Sequence, residues 1–348
     1  MSALPGRDLA GPRLADLTTL RLGGPARRLL QAETEAELIE AVLAADADGE
    51  PLLVLGGGSN LVVADAGFDG AVVQVCTRGV ARSGDLVTVA AGEVWDDTVG
   101  SLVADGHAGV EALSGIPGLV GATPIQNVGA YGQEVAQTIV SVRVLDRATR
   151  DVYDVAAQQC GFTYRSSVFK GDDRRVVLAV TFRLPAQAEP VRYAALAGHL
   201  GVEVGAAVPT GEVRAAVLDL RRAKGMVLDP GDHDTWSAGS FFTNPVLDPN
   251  DADDAARLAL LPAGAPRWPE SDGGVKVSAA WLIERAGFTQ GYGAGRARVS
   301  SKHTLALTNR GGATTEELLE LAREIRDGVR ERFGVTLVNE PVLLGVTL

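Results

Sequence analysis

A short glycine-rich segment, Gly56-Gly57-Gly58-Ser59-Asn60, has the composition of a phosphate-binding loop. Residues without side chains let consecutive backbone N–H groups approach an anion, and Ser59 and Asn60 add further donors. The segment is not the fingerprint of a doubly wound nucleotide-binding fold, because it lacks G-x-G-x-x-G and a strand-like stretch follows it. An ordinary tight turn is the alternative interpretation.

A second segment, residues 114–132, contains five glycines, two prolines and no charged residue. It is too long for a simple turn and too rich in glycine for a helix, and long structured loops of this kind are usually functional. Exposed backbone amides together with Gln126 and Asn127 would suit the polar edge of a flat, neutral heterocycle such as isoalloxazine. A buried loop that satisfies its own backbone groups is the other interpretation.

Three side chains elsewhere could carry proton or charge chemistry. Arg165, within residues 164–170, can hold a carboxylate through two parallel hydrogen bonds. Ser240 lies among glycine and aromatic residues without a hydrolase G-x-S-x-G, and its hydroxyl could donate a proton. Glu340, between apolar residues, could transfer a proton or stabilise an enol. The plainer alternatives are a surface arginine, a serine bonded to the backbone and a partnered structural glutamate.

Three more residues have ordinary structural interpretations when taken alone. Lys224 is the charged end of a helix, His303 is a histidine in a strand, and Tyr193 is an aromatic residue of the core or its rim. Histidines and cysteines do not cluster at metal-ligand spacing, so the sequence predicts no metal site.

Capping signals and apolar periodicity place these residues on an α+β framework. Helices are predicted from Thr34, whose partner in a capping box is Glu37, at 95–105, around 213–220, at 278–286 and at 314–333. Strands are predicted at 52–55, 61–63, 71–75, 86–90, 141–145, 176–184, 303–308 and 334–338. The sequence therefore predicts an N-terminal α+β lobe, a β-rich middle lobe and a C-terminal α+β lobe that begins near residue 205.

Composition limits the class of protein. The chain has 348 residues, 46% hydrophobic and 22% charged, which is typical of a globular protein of two or three domains. A net charge of −12 without a dense basic run argues against a nucleic-acid partner. Two cysteines, no apolar leader and no membrane-length apolar run predict a cytoplasmic protein without a membrane partner.

Taken together, these segments resemble the UDP-N-acetylenolpyruvoylglucosamine reductase (UDP-N-acetylmuramate dehydrogenase) family, in order along nearly the whole chain. The matching segments are residues 18–26, 54–61, 114–132, 164–170 and 239–245, followed by Glu340. Phe169-Lys170 and Pro190-Val191-x-Tyr193 resemble the subtype that carries a tyrosine over the substrate pocket. The stretch between Lys224 and Ser240 is longer than in enteric members of the family.

The resemblance implies a three-domain α+β flavoprotein of the PCMH-type FAD-binding superfamily. Two FAD-binding lobes are expected at 13–75 and 76–204, a substrate-binding domain at 205–335 and a C-terminal strand at 336–348 that returns to the active site. The implied reaction is reduction of UDP-N-acetylglucosamine enolpyruvate to UDP-N-acetylmuramate, a peptidoglycan precursor, by NADPH through FAD. A monomer is expected.

The resemblance also assigns residue roles. Ser240 is expected to protonate the enol, and Arg165 and Glu340 to stabilise it. Residues expected to bind the substrate are Tyr164, Tyr193, Lys224, Asn244 and His303. Residues expected to bind FAD are Gly56, Gly57, Gly58, Ser59, Asn60, Leu61, Ser114, Gly115, Ile116, Pro117, Gly118, Gly121, Ala122, Gln126, Asn127, Gly129, Ala130 and Tyr131.

Two alternatives remain open at this point, another enzyme of the same cofactor-binding superfamily and a protein of a different class. An FAD-dependent oxidase of a small alcohol or sugar would often carry flavin bound covalently through His or Cys, and neither residue lies beside Gly56–Gly58. A non-catalytic nucleotide-sugar binding protein would not need Arg165, Ser240 and Glu340 together.

Overall fold

The computed structural model describes residues 7–9, 11–270 and 273–348 and has the predicted α+β character. The strands are β1 (Arg7–Leu9), β2 (Ala26–Ala32), β3 (Leu52–Leu55), β4 (Leu61–Val63), β5 (Phe68–Val75), β6 (Val80–Ser83), β7 (Leu86–Ala90), β8 (Gly129–Ala130), β9 (Gln133–Glu134), β10 (Ile139–Asp146), β11 (Val152–Ala156), β12 (Arg175–Arg183), β13 (Val246–Leu247), β14 (Arg267–Pro269), β15 (Val275–Val277), β16 (Ala297–Val299), β17 (Leu307–Asn309) and β18 (Val342–Leu344). The α-helices are α1 (Glu35–Ala47), α2 (Trp95–Ala104), α3 (Ala194–Leu200), α4 (Thr210–Ala223), α5 (Ala252–Leu260), α6 (Ala279–Arg285) and α7 (Thr315–Phe333).

The chain divides into two compact units, each assembled from separate stretches of sequence. The first unit consists of the described residues up to Pro12 together with Ala26–Gly58 and Asp69–Val227. The second unit consists of Arg13–Pro25, Ser59–Phe68 and Leu228–Leu348. The domain boundaries expected at 13–75, 76–204, 205–335 and 336–348 stay a prediction.

Two sheets form the framework of the first unit. One has the strand order β1-β2-β5-β3, and its β3 and β5 run parallel with Leu52 opposite Ala71. The other is antiparallel, with the order β11-β10-β12-β7-β6. Their β-branched residues and the apolar faces of α1 and α2 bury one hydrophobic core, in which Leu38, Val73 and Trp95 are at most 1% exposed.

Helix α7 organises the second unit. Its first turn has the predicted capping box, in which the side chains of Thr314 and Glu317 accept each other's backbone N–H, and Gly334 ends it in the left-handed region at φ 70°. Asp65 adds a second cap, because its carboxylate accepts the backbone N–H groups of Thr315 and Glu316 at 2.8 and 3.1 Å. Strand β4, which shortly precedes Asp65, pairs in parallel with β18. This pairing joins the strand that follows Asn60 to the strand that follows Glu340.

Most predicted elements are confirmed, and the two C-terminal strand predictions need correction. Of the strand expected at 303–308, only its end lies in β17, because the His303 carbonyl accepts the backbone N–H of Ala306 at 3.0 Å and the chain turns there. Residues 334–338 form no strand. Gly334 is the left-handed end of α7, and the pairing near these residues consists of the bond from the Thr243 backbone N–H to the Val338 carbonyl and an isolated bridge between Asn339 and Phe242, which is too short for a ladder. At the start of α1 the Thr34 hydroxyl accepts the backbone N–H of Glu37, as predicted. The Glu37 carboxylate accepts the backbone N–H of Glu33.

In the described part of the chain, no helix combines the length and the apolar character that crossing a membrane requires.

Asp146, at the end of β10, gives a prediction for acid stability. Its buried carboxylate accepts two hydrogen bonds from Arg174, at 2.8 and 2.6 Å, which lower its pKa from the ordinary 3.8 to about 2. The folded form therefore holds this proton less tightly than the unfolded form, so the stabilisation is present above about pH 4 and is lost as the pH falls towards 2. Asp146→Asn is expected to lower the urea midpoint at pH 7 and to leave it nearly unchanged near pH 2. A loss of stability independent of pH would contradict this account.

Candidate functional site

The glycines of the first segment, Gly56–Gly58, meet the second glycine-rich segment inside the first unit. A Cβ atom added to Gly57 would lie 2.8 Å from the Cα atom of Gly118, which is closer than a side chain permits. Gly58 and Gly118 have φ angles of 58° and 118°, in the region that favours glycine. Glycine at these positions therefore lets the two backbone segments pack directly against each other. As a result, the backbone amides of the two segments lie close together.

The second segment is anchored to the start of α2. The backbone N–H of Gly115 donates to the Asp96 carboxylate at 2.6 Å, and that of Trp95 donates to the Gly118 carbonyl at 3.0 Å. The buried Ser114 hydroxyl donates to the Glu111 carbonyl at 2.6 Å. Burial raises the pKa of Asp96, but the hydrogen bonds from Arg214 in α4 and from Gly115, together with the arginine charges, outweigh burial, so the net shift of the pKa is downward.

Arg165 packs against the later part of the glycine-rich segment 114–132. Its Nη2 donates to the Gly129 carbonyl at 2.6 Å, and a Cβ atom at Gly129 would lie 2.9 Å from its Nη1. Arg165 itself has a φ of 52°, a strained conformation of the kind that often occurs at functional sites. The structure thus brings a predicted catalytic residue into contact with the predicted flavin segment within one unit.

Asn127, also predicted to bind the cofactor, is held by the protein. It is 1% exposed, its Nδ2 donates to Glu134 and to the Thr163 carbonyl, and its Oδ1 accepts from the Ala136 backbone. Its side chain therefore shapes the turn that presents Gly129 and Arg165.

The aromatic residues around this segment also lie together. The rings of Tyr131 and Tyr193 meet edge to face with centroids 5.6 Å apart, and Tyr193 is 45% exposed. The Arg165 guanidinium lies 5.3 Å from the ring centre of Tyr164. A cavity of about 380 Å³ in the first unit borders Tyr131, Gly132 and Gln133.

Arg221 is a residue that the sequence analysis missed. It lies in the last turn of α4, and its Nε is buried without a hydrogen-bond partner among the described residues. A Cβ atom on Gly115 would be 3.4 Å from that nitrogen. Burial lowers the pKa of Arg221, and nearby Tyr131 and Asp96 oppose this effect. The signal was available, because Arg214, Val217 and Arg221 follow i, i+3, i+7 spacing and share one face of the helix.

In the second unit, Ser240 and Glu340 lie on paired backbone segments. The backbone N–H of Glu340 donates to the Phe241 carbonyl at 2.8 Å. On the other side, Ser240 forms a bridge with Ala306, at the end of the turn that contains His303. The Asn60 side chain donates to the Glu340 carbonyl at 3.4 Å. Four predicted site residues therefore have their main chains in one small region of this unit.

The two remaining predicted substrate residues, Asn244 and Lys224, lie apart in the chain, in the loop before β13 and at the end of α4. Asn244 accepts the backbone N–H of Ala279 through its Oδ1 at 2.9 Å, which fixes its amide at the start of α6. Lys224 is exposed at the C-terminal end of α4.

Among the described residues, no group of three or more His, Cys, Asp or Glu side chains could hold a metal ion.

Comparisons with known proteins show the family of the chain. Residues 229–344 match the family model of the UDP-N-acetylenolpyruvoylglucosamine reductase C-terminal domain, and residues 26–155 match that of an FAD binding domain. The chain is 58% identical to the UDP-N-acetylenolpyruvoylglucosamine reductase of Thermobifida fusca over 96% of this chain and 97% of that one. It is 56% identical to the reductase of that name from Streptomyces coelicolor over 99% of this chain and 92% of that one. The chain belongs to the UDP-N-acetylenolpyruvoylglucosamine reductase family.

A solved structure of the reductase family shares the fold. UDP-N-acetylenolpyruvylglucosamine reductase from Thermus caldophilus superimposes with a TM-score of 0.67 at 26% identity, covering 97% of this chain and 99% of that one. Together with the family models, it confirms the family resemblance and the fold class inferred from sequence, including the FAD-binding domain.

The contact between the glycine segments gives a prediction for cofactor binding in this reductase. Gly57→Ala would place a methyl group 2.8 Å from Gly118 and force the two segments apart. Strain of this kind costs about 1–3 kcal/mol, so FAD is expected to bind roughly 5- to 150-fold more weakly. The measurement is the FAD dissociation constant, obtained by titrating protein stripped of flavin.

Gly198→Ala is the matched control for Gly57→Ala. An added Cβ atom on Gly198, in α3, meets nothing within 4 Å. This variant is expected to bind FAD like the wild type. Equal FAD affinity in all three proteins would contradict the role given to the Gly57–Gly118 contact.

Proposed function

We propose that this chain reduces UDP-N-acetylglucosamine enolpyruvate to UDP-N-acetylmuramate, with NADPH as the reductant and FAD as the bound cofactor. The observation that carries the proposal is the backbone pairing of the second unit, which sets Ser240 and Glu340 on adjacent segments. The contact of Arg165 with the glycine-rich segment of the first unit supports it independently.

The residues present fit a flavin nucleotide. Gly57 and Gly118 pack backbone against backbone, so that main-chain donors are uncovered by side chains. The buried Nε of Arg221 next to Gly115 has a donor to offer to an electron-rich group. We assign the binding of FAD to the two glycine-rich segments, namely Gly56, Gly57, Gly58, Ser59, Asn60, Leu61 and the predicted positions between Ser114 and Tyr131.

When bound and reduced by NADPH, FAD would supply a hydride for the terminal vinyl carbon of the enolpyruvyl group. Addition there leaves negative charge on the adjacent carbon and its carboxylate. Arg165 stabilises that charge, because a guanidinium can donate two parallel hydrogen bonds to a carboxylate. The half-buried Ser240 hydroxyl donates its proton to the adjacent carbon. Glu340 completes the stabilisation of the enol.

The substrate-binding residues have the chemistry that a charged nucleotide sugar requires. Lys224 offers an ammonium group for a phosphate, and Asn244 an amide fixed by α6. Tyr193 offers an exposed aromatic face, held against Tyr131, that can cover the sugar. Tyr164 and His303 supply further hydrogen-bonding groups.

The test is oxidation of NADPH by flavin-loaded protein with and without the enolpyruvyl sugar. The proposal expects NADPH consumption that depends on the sugar, with UDP-N-acetylmuramate formed in equal amount, and a flavin that acid releases from the protein. Consumption that depends on oxygen alone, with a flavin that stays attached after acid treatment, would favour the oxidase alternative. The cytoplasmic location and the monomeric state stay predictions, and sedimentation of the flavin-loaded protein checks the latter.

A further inference from the structure

Residues 229–235, which precede Ser240 in the second unit, form a compact turn. A short 3₁₀ turn spans His233–Thr235, and the Asp232 side chain accepts from the backbone N–H of Asp234 at 2.9 Å. The Thr235 hydroxyl donates to the carbonyls of Asp229 and Asp232 at 2.8 and 2.7 Å. These residues therefore have a defined conformation shortly before Ser240.

Asp234 projects from this turn into the interior of the second unit. Its residue is 4% exposed, and its Oδ1 accepts from the Ser300 hydroxyl at 3.0 Å, from the Ser301 backbone at 2.8 Å and from Arg310 Nη1 at 2.8 Å. Its Oδ2 accepts from the Ser301 hydroxyl at 2.6 Å. Burial raises the pKa of Asp234, but the serine hydrogen bonds and the Arg310 charge outweigh burial, so the net shift is downward. The carboxylate is thus held in its charged form.

The loop that Asp234 binds is the loop that pairs with Ser240. Ser300 donates from its backbone to the Ala306 carbonyl at 2.8 Å, which closes residues 300–306 into a compact loop. At the far end of this loop, Ala306 bridges Ser240, and the Leu305 carbonyl accepts the backbone N–H of Phe241 at 2.7 Å. Asp234 therefore contacts one end of the loop, and Ser240 lies against the other.

A second ion pair holds the same two segments together. Lys302 Nζ lies 2.5 Å from the Asp232 carboxylate, and both side chains are more than a quarter exposed. An exposed pair of this kind contributes little, so the buried Asp234 contacts carry the attachment.

We propose that Asp234 is a positioning residue for Ser240: by fixing the loop 300–306, it sets where the backbone of Ser240 lies and hence where its hydroxyl can deliver a proton. The proposal rests on the proton-donor role proposed above for Ser240. Replacing the carboxylate with an amide removes the charge that pairs with Arg310 and one of the two oxygens that accept from the buried Ser300 hydroxyl, from Ser301 and from Arg310, and the loop has to move to satisfy these donors. A displacement of about 1 Å at a reacting group can cost roughly 10²-fold in rate.

The experiment measures two half-reactions separately in Asp234→Asn, namely the reduction of bound FAD by NADPH and the transfer from reduced protein to saturating enolpyruvyl sugar. The expected result is a second half-reaction slowed roughly 10- to 100-fold, with the first within about twofold of wild type. Asp146→Asn is the matched control, because it also removes a buried carboxylate bound by arginine and serves no loop of the second unit. An equal slowing of the second half-reaction in both variants would overturn the proposal.

A double-mutant cycle with Ser240→Ala separates positioning from general loss of structure. If Asp234 acts through the Ser240 hydroxyl, Asp234→Asn is expected to have little further effect on the second half-reaction once that hydroxyl is gone. Full additivity would overturn the proposal.

Ser301→Ala is a milder variant, since it removes the hydrogen bond from the Ser301 hydroxyl and keeps the Asp234 carboxylate. It decides the case if Asp234→Asn does not fold. Slowing of the second half-reaction in Ser301→Ala supports the proposal, and a normal rate overturns it.

The outcomes also separate this inference from the proposed function. If Ser240→Ala cripples the second half-reaction and Asp234→Asn does not slow it, only the positioning role fails. If Ser240→Ala leaves the second half-reaction intact, the proton-donor assignment itself fails, and the positioning role fails with it.

Discussion

Ser240→Ala is expected to slow the reduction of the enolpyruvyl sugar by roughly 10²- to 10⁴-fold, the range contributed by a positioned general acid. Reduction of FAD by NADPH requires no proton from Ser240, so its rate is expected to stay within about twofold of wild type. Rapid mixing of NADPH with oxidised protein, and of substrate with reduced protein, measures the two steps from the visible absorbance of the flavin.

Ser237→Ala is the control for Ser240→Ala. The Ser237 hydroxyl accepts the backbone N–H of Gly239 at 3.2 Å, so its loss disturbs the same turn without removing the proposed proton donor. This variant is expected to retain most of its sugar-reducing activity. Equal loss of both half-reactions in Ser240→Ala, or an equal effect of both substitutions, would contradict the proton-donor role.

Arg165→Lys is expected to produce the second large effect, a fall of roughly 10²- to 10³-fold in kcat/KM for the sugar. Lysine keeps the charge but loses the planar pair of donors and the hydrogen bond that Nη2 gives to Gly129. The measurement is the steady-state rate of NADPH oxidation over a range of sugar concentrations, with FAD content checked in the same sample.

Arg143→Lys is the matched control for Arg165→Lys. Arg143 lies in the same unit and forms a partly exposed ion pair with Glu35. Pairs of this kind contribute about 0–1 kcal/mol, so its replacement is expected to leave kcat/KM unchanged. Wild-type activity of Arg165→Lys would show that a point charge suffices and would contradict the bidentate role.

Most helices and strands could be predicted because the signals for them, such as caps and β-branched runs, lie within or next to the elements themselves. Thr314 with Glu317 and the terminal Gly334 define α7 from sequence, and the β-branched run at 176–184 defines β12 within one residue at each end. The α+β class and the glycine-rich segments follow from the same kind of information.

The errors and omissions concern contacts between residues distant in sequence. The apolar residues at 334–338 predict a strand, but strand formation depends on a neighbouring ladder, which only the fold supplies. Arg221 and Asp234 look like surface charges when the sequence is read alone, because the burial of each depends on partners such as Gly115 and Ser301, more than 60 residues away. Tertiary burial of a charged group has no short-range signal beyond helix periodicity.

The central claim is that bound, reduced FAD passes its electrons to the enolpyruvyl sugar, and a single-turnover reaction under anaerobic conditions tests it most directly. Flavin-loaded protein is reduced with one equivalent of NADPH, freed of nucleotide and mixed with UDP-N-acetylglucosamine enolpyruvate, while the visible flavin absorbance is followed. The account predicts that the absorbance of oxidised flavin returns and that one UDP-N-acetylmuramate forms per flavin. A flavin that stays reduced until oxygen is admitted, with no sugar product, would contradict it.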